Sequence, residues 1–400
     1  MRSGLKGVVK KGLGEMGFNA GGGAINWFPG HMAAATRAIR DRLKLADLVI
    51  EVRDSRIPLS SANEDLQPQL DAKRRVIALN KKDLANPNIM HVNCLFLASS
   101  FSFLLLDSIL YPFDCKWIRY FDSCKQDCIP INAHSKSSVQ KLLEVVEFKL
   151  KEVILREPTL LVMVVGVPNV GKSALINSIR QIALSRFAVQ EKKKRATVGP
   201  LPGVTQDIAG YKIAHKPSIY VLDTPGVLVP SIPDIETGLK LSLAGSVKDS
   251  VVGEERIAQY LLAILNTRGT PLHWKHWNNR KMDGIRFESE EKHKYNPKDL
   301  RPNSRKPPDV SDVVYVENLV TEVQCAIYKT LAEFNGNVED ENDLENLIEQ
   351  QFEVLQKALK IPHKASEARL MVSKKFLTLF RTGKLGCFTL DDVPETNTVS

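Results

Sequence analysis

The sequence lacks a long apolar run, a metal-binding cysteine pattern and an acidic surplus, and each absence removes a class of protein. The apolar stretch Leu95–Leu106 is interrupted by serines and stops at Asp107, short of the ~20 residues that a membrane-spanning helix needs. It lies in an apparent insertion at about 91–115, so a membrane anchor is the weaker reading. Four of the six cysteines (Cys94, Cys115, Cys124, Cys128) fall in one stretch, and the Cys124/Cys128 spacing matches neither a zinc ribbon nor a redox pair. Reduced thiols in a reducing compartment are the simpler expectation. Acids number 46 against 55 Lys and Arg, giving a formal net charge of +9, which favours a polyanionic partner. The 400 residues, 43% hydrophobic and 25% charged, describe an ordinary globular chain of two or three domains.

Against that background one segment stands out. Gly166-Val167-Pro168-Asn169-Val170-Gly171-Lys172-Ser173 fits the phosphate-binding pattern G-x-x-x-x-G-K-[ST]. Leu160–Val165 before it reads as a buried parallel strand and Ala174–Ile179 after it as a helix. In that setting the loop N–H groups close around phosphate oxygens at a helix N-terminus. Lys172 would reach the β- and γ-phosphates, and the Ser173 hydroxyl would bind Mg²⁺. Pro168, Asn169, Val170, Gly171 and Ala174 complete the candidate phosphate contacts.

Two further motifs complete a nucleotide site. Asn80-Lys81-Lys82-Asp83 follows the strand Arg75–Leu79, at the strand end where α/β proteins bind ligands. The Asp83 carboxylate can accept from the guanine N1–H and 2-amino group, and adenine offers neither; an ordinary capping turn is the bland alternative. Ile129–Ile131 reads as a further strand leading to Asn132-Ala133, with the Ala133 backbone near the guanine O6. Asp223-Thr224-Pro225-Gly226 ends the strand Ile219–Leu222. There Asp223 would hold Mg²⁺ and the Gly226 N–H would meet the γ-phosphate, while Thr205 would complete the metal shell. Next comes Val227, where GTPases commonly carry a water-orienting Gln. Valine cannot bind water, so hydrolysis must use another group or wait for a partner. In ordinary GTPases the phosphate loop leads and the guanine motif trails. Here the order is reversed, which reads as a circularly permuted GTPase binding GTP and GDP.

With these motifs stand Trp27-Phe28-Pro29-Gly30-His31-Met32 and Asp54-Ser55-Arg56-Ile57-Pro58. Together they resemble the YlqF-type circularly permuted GTPases, and within them the mitochondrial branch that includes the plant DAR GTPases; Ser55 departs from the usual Asp-Ala-Arg. The likeness covers roughly Asn26–Leu84, Lys116–Arg268 and Phe376–Leu390. It implies that His31 promotes hydrolysis by orienting water, a structural loop histidine being the alternative, and that Asn169 helps ligate K⁺. It also implies a GTP-hydrolysing assembly factor for the large mitochondrial ribosomal subunit, bound to rRNA in the GTP state and released after hydrolysis. The alternative is a nucleotide-binding RNA scaffold with little or no hydrolysis. The expected setting is a monomer in the mitochondrial matrix, at most peripheral to the inner membrane, with no DNA partner.

The expected fold class is α/β: a P-loop GTPase domain with a doubly wound, mostly parallel sheet, followed by an all-α C-terminal domain. Residues 1–25, basic and glycine-rich, resemble a mitochondrial transit peptide. Residues 26–232 would form the permuted domain, and 233–400 the helical RNA-binding domain with a polar insertion at about 275–312. The run Lys192-Lys193-Lys194-Arg195 falls in the predicted first switch, as an RNA contact or a solvated charge run. Lys374–Arg381 mixes basic residues with phenylalanines, suiting RNA contact or core packing equally.

Overall fold

The computed structural model describes residues 13, 16, 17, 25, 27–87, 116–186, 209–215, 218–232, 234–275, 310–362 and 367–394. Six strands form one sheet in the order β3-β2-β1-β4-β6-β5. These are β1 (Leu48–Asp54), β2 (Arg75–Asn80), β3 (Cys128–Pro130), β4 (Thr159–Val165), β5 (Ala209–His215) and β6 (Ser218–Asp223). All neighbours pair in parallel except β5, an antiparallel edge strand. The register sets the site: Asp54 lies opposite Asn80, and Val164 opposite Asp223. The three motif loops therefore leave the same C-terminal edge.

The central strands are apolar because helices cover both faces. On one face α1 (Gly30–Leu43) and α2 (Gln67–Asp71) bring Ala35, Ile39, Leu43 and Leu70 against Val49, Met163 and Val165. On the other, α4 (Lys136–Ile154) and α5 (Lys172–Arg186) set Leu143, Val146, Ile179 and Ile182 around a small cavity of about 90 Å³ with Ile50, Val162 and Val221. Trp117 and Phe121, on the short helix α3 (Lys116–Ser123), pack with Ile77 and Leu79 of β2. Glu51 is one of three charged exceptions in β1, with Arg53 and Asp54. Buried at 2% exposure, it is satisfied by Arg53 at 2.8 Å and Arg75 at 3.1 Å, as a buried charge must be.

The chain divides into two compact units, Gly22–Gly253 with Gly386–Ser400, and Met1–Gly21 with Glu254–Leu385. The break thus falls after α6 (Ile235–Leu243) and α7 (Asp249–Val252) rather than at residue 232. The reason is polar: Arg56 and Asn169 hold the carbonyls of Ala244 and Gly245. The C-terminal tail also belongs with the nucleotide unit.

The second unit is helical: α8 (Glu254–Thr267), α9 (Val310–Ala332), α10 (Glu341–Ala358) and α11 (Ala368–Arg381). In α10 the buried positions Leu344, Leu347, Ile348, Gln351, Phe352 and Leu355 recur at helical spacing, and Asp340 caps the start by accepting from Asn342 and Asp343 N–H. Phe376 and Phe380 of α11 are 0% and 2% exposed, so core packing accounts for them and base stacking does not. The expected insertion at 91–115, nearly all of the 275–312 segment, and most of residues 1–25 lie outside the described residues.

Candidate functional site

The phosphate loop is tied to its own lysine. Lys172 opens α5, and its Nζ donates to Gly166 O at 3.0 Å and Val167 O at 2.8 Å. Ser173 and Ala174 share that first turn, where helix N–H groups await an anion. Gly171 has φ +96°, and a Cβ there would lie 2.3 Å from Asn80 Nδ2; only glycine fits. Asn169 takes the left-handed region at φ 60°, which Asn tolerates better than most residues.

Asn80 ties three loops together. Its Nδ2 donates to Val170 O at 2.8 Å, and its Oδ1 accepts from Ala133 N–H at 2.9 Å. Ser178 of α5 then donates to Ala133 O, and Asn132 N–H donates to Ser138 Oγ. Lys81, itself left-handed at φ 61°, donates to Asn169 O at 2.7 Å and pairs with Asp54 at 2.9 Å. Asp83 sits exposed in the 3₁₀ turn Lys82–Leu84 that follows.

Asp54 and Arg56 lie beneath this assembly. Arg56 is bidentate to Asp54 at 2.9 and 2.8 Å and reaches Ala244 O at 3.3 Å. Burial alone would raise the Asp54 pKa, but Arg56 and Lys81 outweigh it and hold the carboxyl well below its usual range. Burial lowers Lys81, and Asp54 only partly offsets it.

On the third loop, Ser173 Oγ donates to Asp223 Oδ2 at 3.2 Å. The other oxygen, Asp223 Oδ1, is buried and has no hydrogen-bond partner among the described residues, which suits a divalent cation. Burial raises the Asp223 pKa while Lys172 pulls it back. A Cβ on Gly226 would lie 2.5 Å from Pro168 Cα, so the loop passes directly over the phosphate loop. Val227 is 0% exposed in the core with Ala35 and Ile39; at this position the chain has a packing residue. His31 is exposed in the first turn of α1, and because α1 runs back into β1 its N-terminus lies at the same sheet edge. Thr205 and Lys192–Arg195 lie outside the described residues.

Comparison with known proteins gives the same reading. The family described as 50S ribosome-binding GTPase matches residues 161–294. The chain is 71% identical to "Short integuments 2, mitochondrial" of Arabidopsis thaliana, over 98% of this chain and 96% of that one. It is 37% identical to "DAR GTPase 2, mitochondrial" of the same plant, over 92% and 90%. The chain belongs to the DAR GTPases. A further relative of this GTPase, "Mitochondrial ribosome-associated GTPase 1" of Mus musculus, is 38% identical over 61% of this chain and 67% of that protein.

Apart from Thr205, the expected site residues fall on strand ends, loops or helix starts of the one edge. Sequence reasoning singled out Asp54 and Arg56 only as a signature and missed the pairing of Asp54 with both Arg56 and Lys81. It also missed Asn63, which donates to Val227 O at 2.8 Å, and Thr224, which donates to Val164 O at 2.7 Å. No local pattern announces such contacts, because each partner is far away in the chain.

Proposed function

We propose that this DAR GTPase is an assembly factor for the large subunit of the mitochondrial ribosome, binding pre-ribosomal RNA when loaded with GTP and leaving after hydrolysis. The observation that carries the reading is the convergence of the phosphate loop, the guanine loop and Asp223 on one sheet edge. The names of its relatives, mitochondrial and ribosome-associated, support the setting. In this reading Asp83 recognises guanine with Asn80, Lys81, Asn132 and Ala133 shaping the base pocket. Residues 168–174 bind phosphates, with the Gly226 N–H on the γ-phosphate. Ser173 and Asp223 hold Mg²⁺ with Thr205. That ion neutralises charge on the phosphates when bound. Asn169 donates its amide nitrogen to Gly245 O, so a K⁺ ion would take its Oδ1. With Val227 committed to the core, His31 orients the attacking water. The matrix is the proposed location; no helix among the described residues is long and apolar enough to cross a membrane.

The test is GTP turnover with and without large-subunit particles. Particles should raise the wild-type rate, and Lys172→Ala should lower it by on the order of a hundredfold or more, the usual cost of removing a transition-state donor. His31→Ala should reduce stimulated turnover more than GTP affinity. Turnover indifferent to the particle would reject the assembly role and favour a scaffold; normal stimulated turnover in His31→Ala would make His31 structural.

A further inference from the structure

Residues 386–394 form neither helix nor strand, yet part of this tail is as buried as the sheet interior. Thr389 and Leu390 are 2% exposed and Asp391 is 4%. The tail fastens to the guanine loop first. Cys387 Sγ donates to Asp83 O at 3.2 Å, Phe388 N–H to Leu84 O at 3.0 Å, and Thr389 Oγ1 accepts from Asn86 N–H at 3.2 Å. It then fastens to the loop after β1. Leu390 N–H donates to Arg56 O at 2.7 Å. The Asp391 carboxylate accepts from Leu59 N–H at 2.8 Å, Ser60 N–H at 2.9 Å and Ser60 Oγ at 2.6 Å, with Lys240 Nζ at 3.5 Å. Val393 packs on the cluster of Ile77, Leu79, Trp117 and Phe121, directly under the strand that carries Asn80.

The guanine loop needs such support. Lys82–Leu84 is a single 3₁₀ turn with no side-chain cap, entered through a left-handed Lys81. So short a turn cannot satisfy its own terminal carbonyls, and the tail supplies donors to two of them. Where the backbone of residues 83 and 84 is fixed, the Asp83 carboxylate is fixed too.

We propose that the C-terminal tail is a specificity brace of the nucleotide site, with Asp391 as its anchoring and positioning residue. The brace ties the guanine loop to the Asp54–Arg56 turn, so the segment that follows the helical unit sets how well the site reads the base. This rests on the assignment of Asp83 as the guanine reader. Inosine diphosphate keeps the N1–H but lacks the 2-amino group, so the ratio of GDP to IDP affinity reports the Asp83 contact separately from the phosphates.

The experiment uses the full chain, with GDP and IDP titrated into wild type, Asp391→Ala and Asp83→Asn, and amide exchange followed at Leu84–Asn86 without nucleotide. Asp391→Ala should shrink the GDP:IDP ratio by roughly tenfold, about the worth of a hydrogen bond to a charged group, leave IDP affinity nearly unchanged and speed exchange at Leu84–Asn86. Thr389→Val, which removes the contact to Asn86 N–H, should do the same more weakly and serves if Asp391→Ala does not fold. An unchanged ratio with unchanged exchange overturns the brace, as does a parallel loss of GDP and IDP affinity. If exchange quickens but Asp83→Asn leaves the ratio intact, the guanine assignment is what fails, and the proposal falls with it as a specificity device.

Discussion

Lys172 is an ammonium group held among backbone carbonyls at 5% exposure. Burial pushes its pKa down to about 8, with Asp223 pulling it up and Lys81 pushing it further down. Bound phosphates restore the charge, so above pH 8 the complex holds more protons than the free protein. GDP affinity should therefore be flat below about pH 8 and fall by up to about tenfold per unit above it. Calorimetry in buffers of different ionisation heat should show proton uptake setting in there; affinity independent of pH up to 10 would contradict the assignment. Asp54 gives the opposite sign. Its pKa is depressed on folding, so its contribution is full above the ordinary value of 3.8 and fades as pH falls below it. Asp54→Ala strands a buried Arg56 and Lys81 and should cost about 3–5 kcal/mol in urea unfolding at pH 7, with a smaller penalty in acid.

Among elements, α8 and α10 are pinned by a reciprocal amide pair. Asn266 Nδ2 donates to Gln351 Oε1 at 2.8 Å, and Gln351 Nε2 to Asn266 Oδ1 at 2.9 Å. Both residues are nearly sealed from solvent. Gln351→Leu leaves the Asn266 amide buried and unpaired, and should destabilise the helical unit by about 1–3 kcal/mol. Replacing both residues with leucine should recover part of that loss in equilibrium denaturation; a double variant as unstable as the sum of the singles would show that the pair is not coupled. The helical character of the chain after residue 232 was legible: α8, α9, α10 and α11 all fall there. β3 was less so. The strand is only Cys128–Pro130; Ile131 N–H still donates to Leu79 O, and the chain then turns away so that Asn132 meets Ser138 and Ala133 meets Asn80. The helix α4 went unread although its buried Val139, Leu142, Val146 and Leu150 recur at helical spacing.

At the scale of the molecule, the chain passes from the nucleotide unit into the helical unit at Glu254, after the segment held by Arg56 and Asn169, and returns at Gly386, where the tail of the nucleotide unit meets the guanine loop. Loss of the γ-phosphate should release the Gly226 and Thr205 contacts and loosen both switches. Binding to large-subunit particles should therefore be tighter with a non-hydrolysable GTP analogue than with GDP. It should also weaken steeply with salt, because phosphate contacts release counterions. Neutralising Lys192–Lys194 should shrink the salt slope and the nucleotide difference together. Equal co-sedimentation in the two nucleotide states at one ionic strength would argue against a GTP-gated partner.

The sequence by itself determined the chemistry and its order. The phosphate loop, the guanine motif and Asp223 are local patterns whose residue types are dictated by what they must touch, so they can be read without a fold, and their reversed order declared the permutation. The helical unit was equally local, since an amphipathic period needs no distant partner. Tertiary structure alone decided what supports those motifs. Asp54 meets Asn80 through parallel register, Arg56 reaches Ala244, and Asp391 caps Leu59 and Ser60. It also decided that Val227 is core and that Phe376 and Phe380 pack inward. These contacts join residues up to hundreds of positions apart, and burial with its hydrogen-bond demand, which no short window of sequence records, selects them.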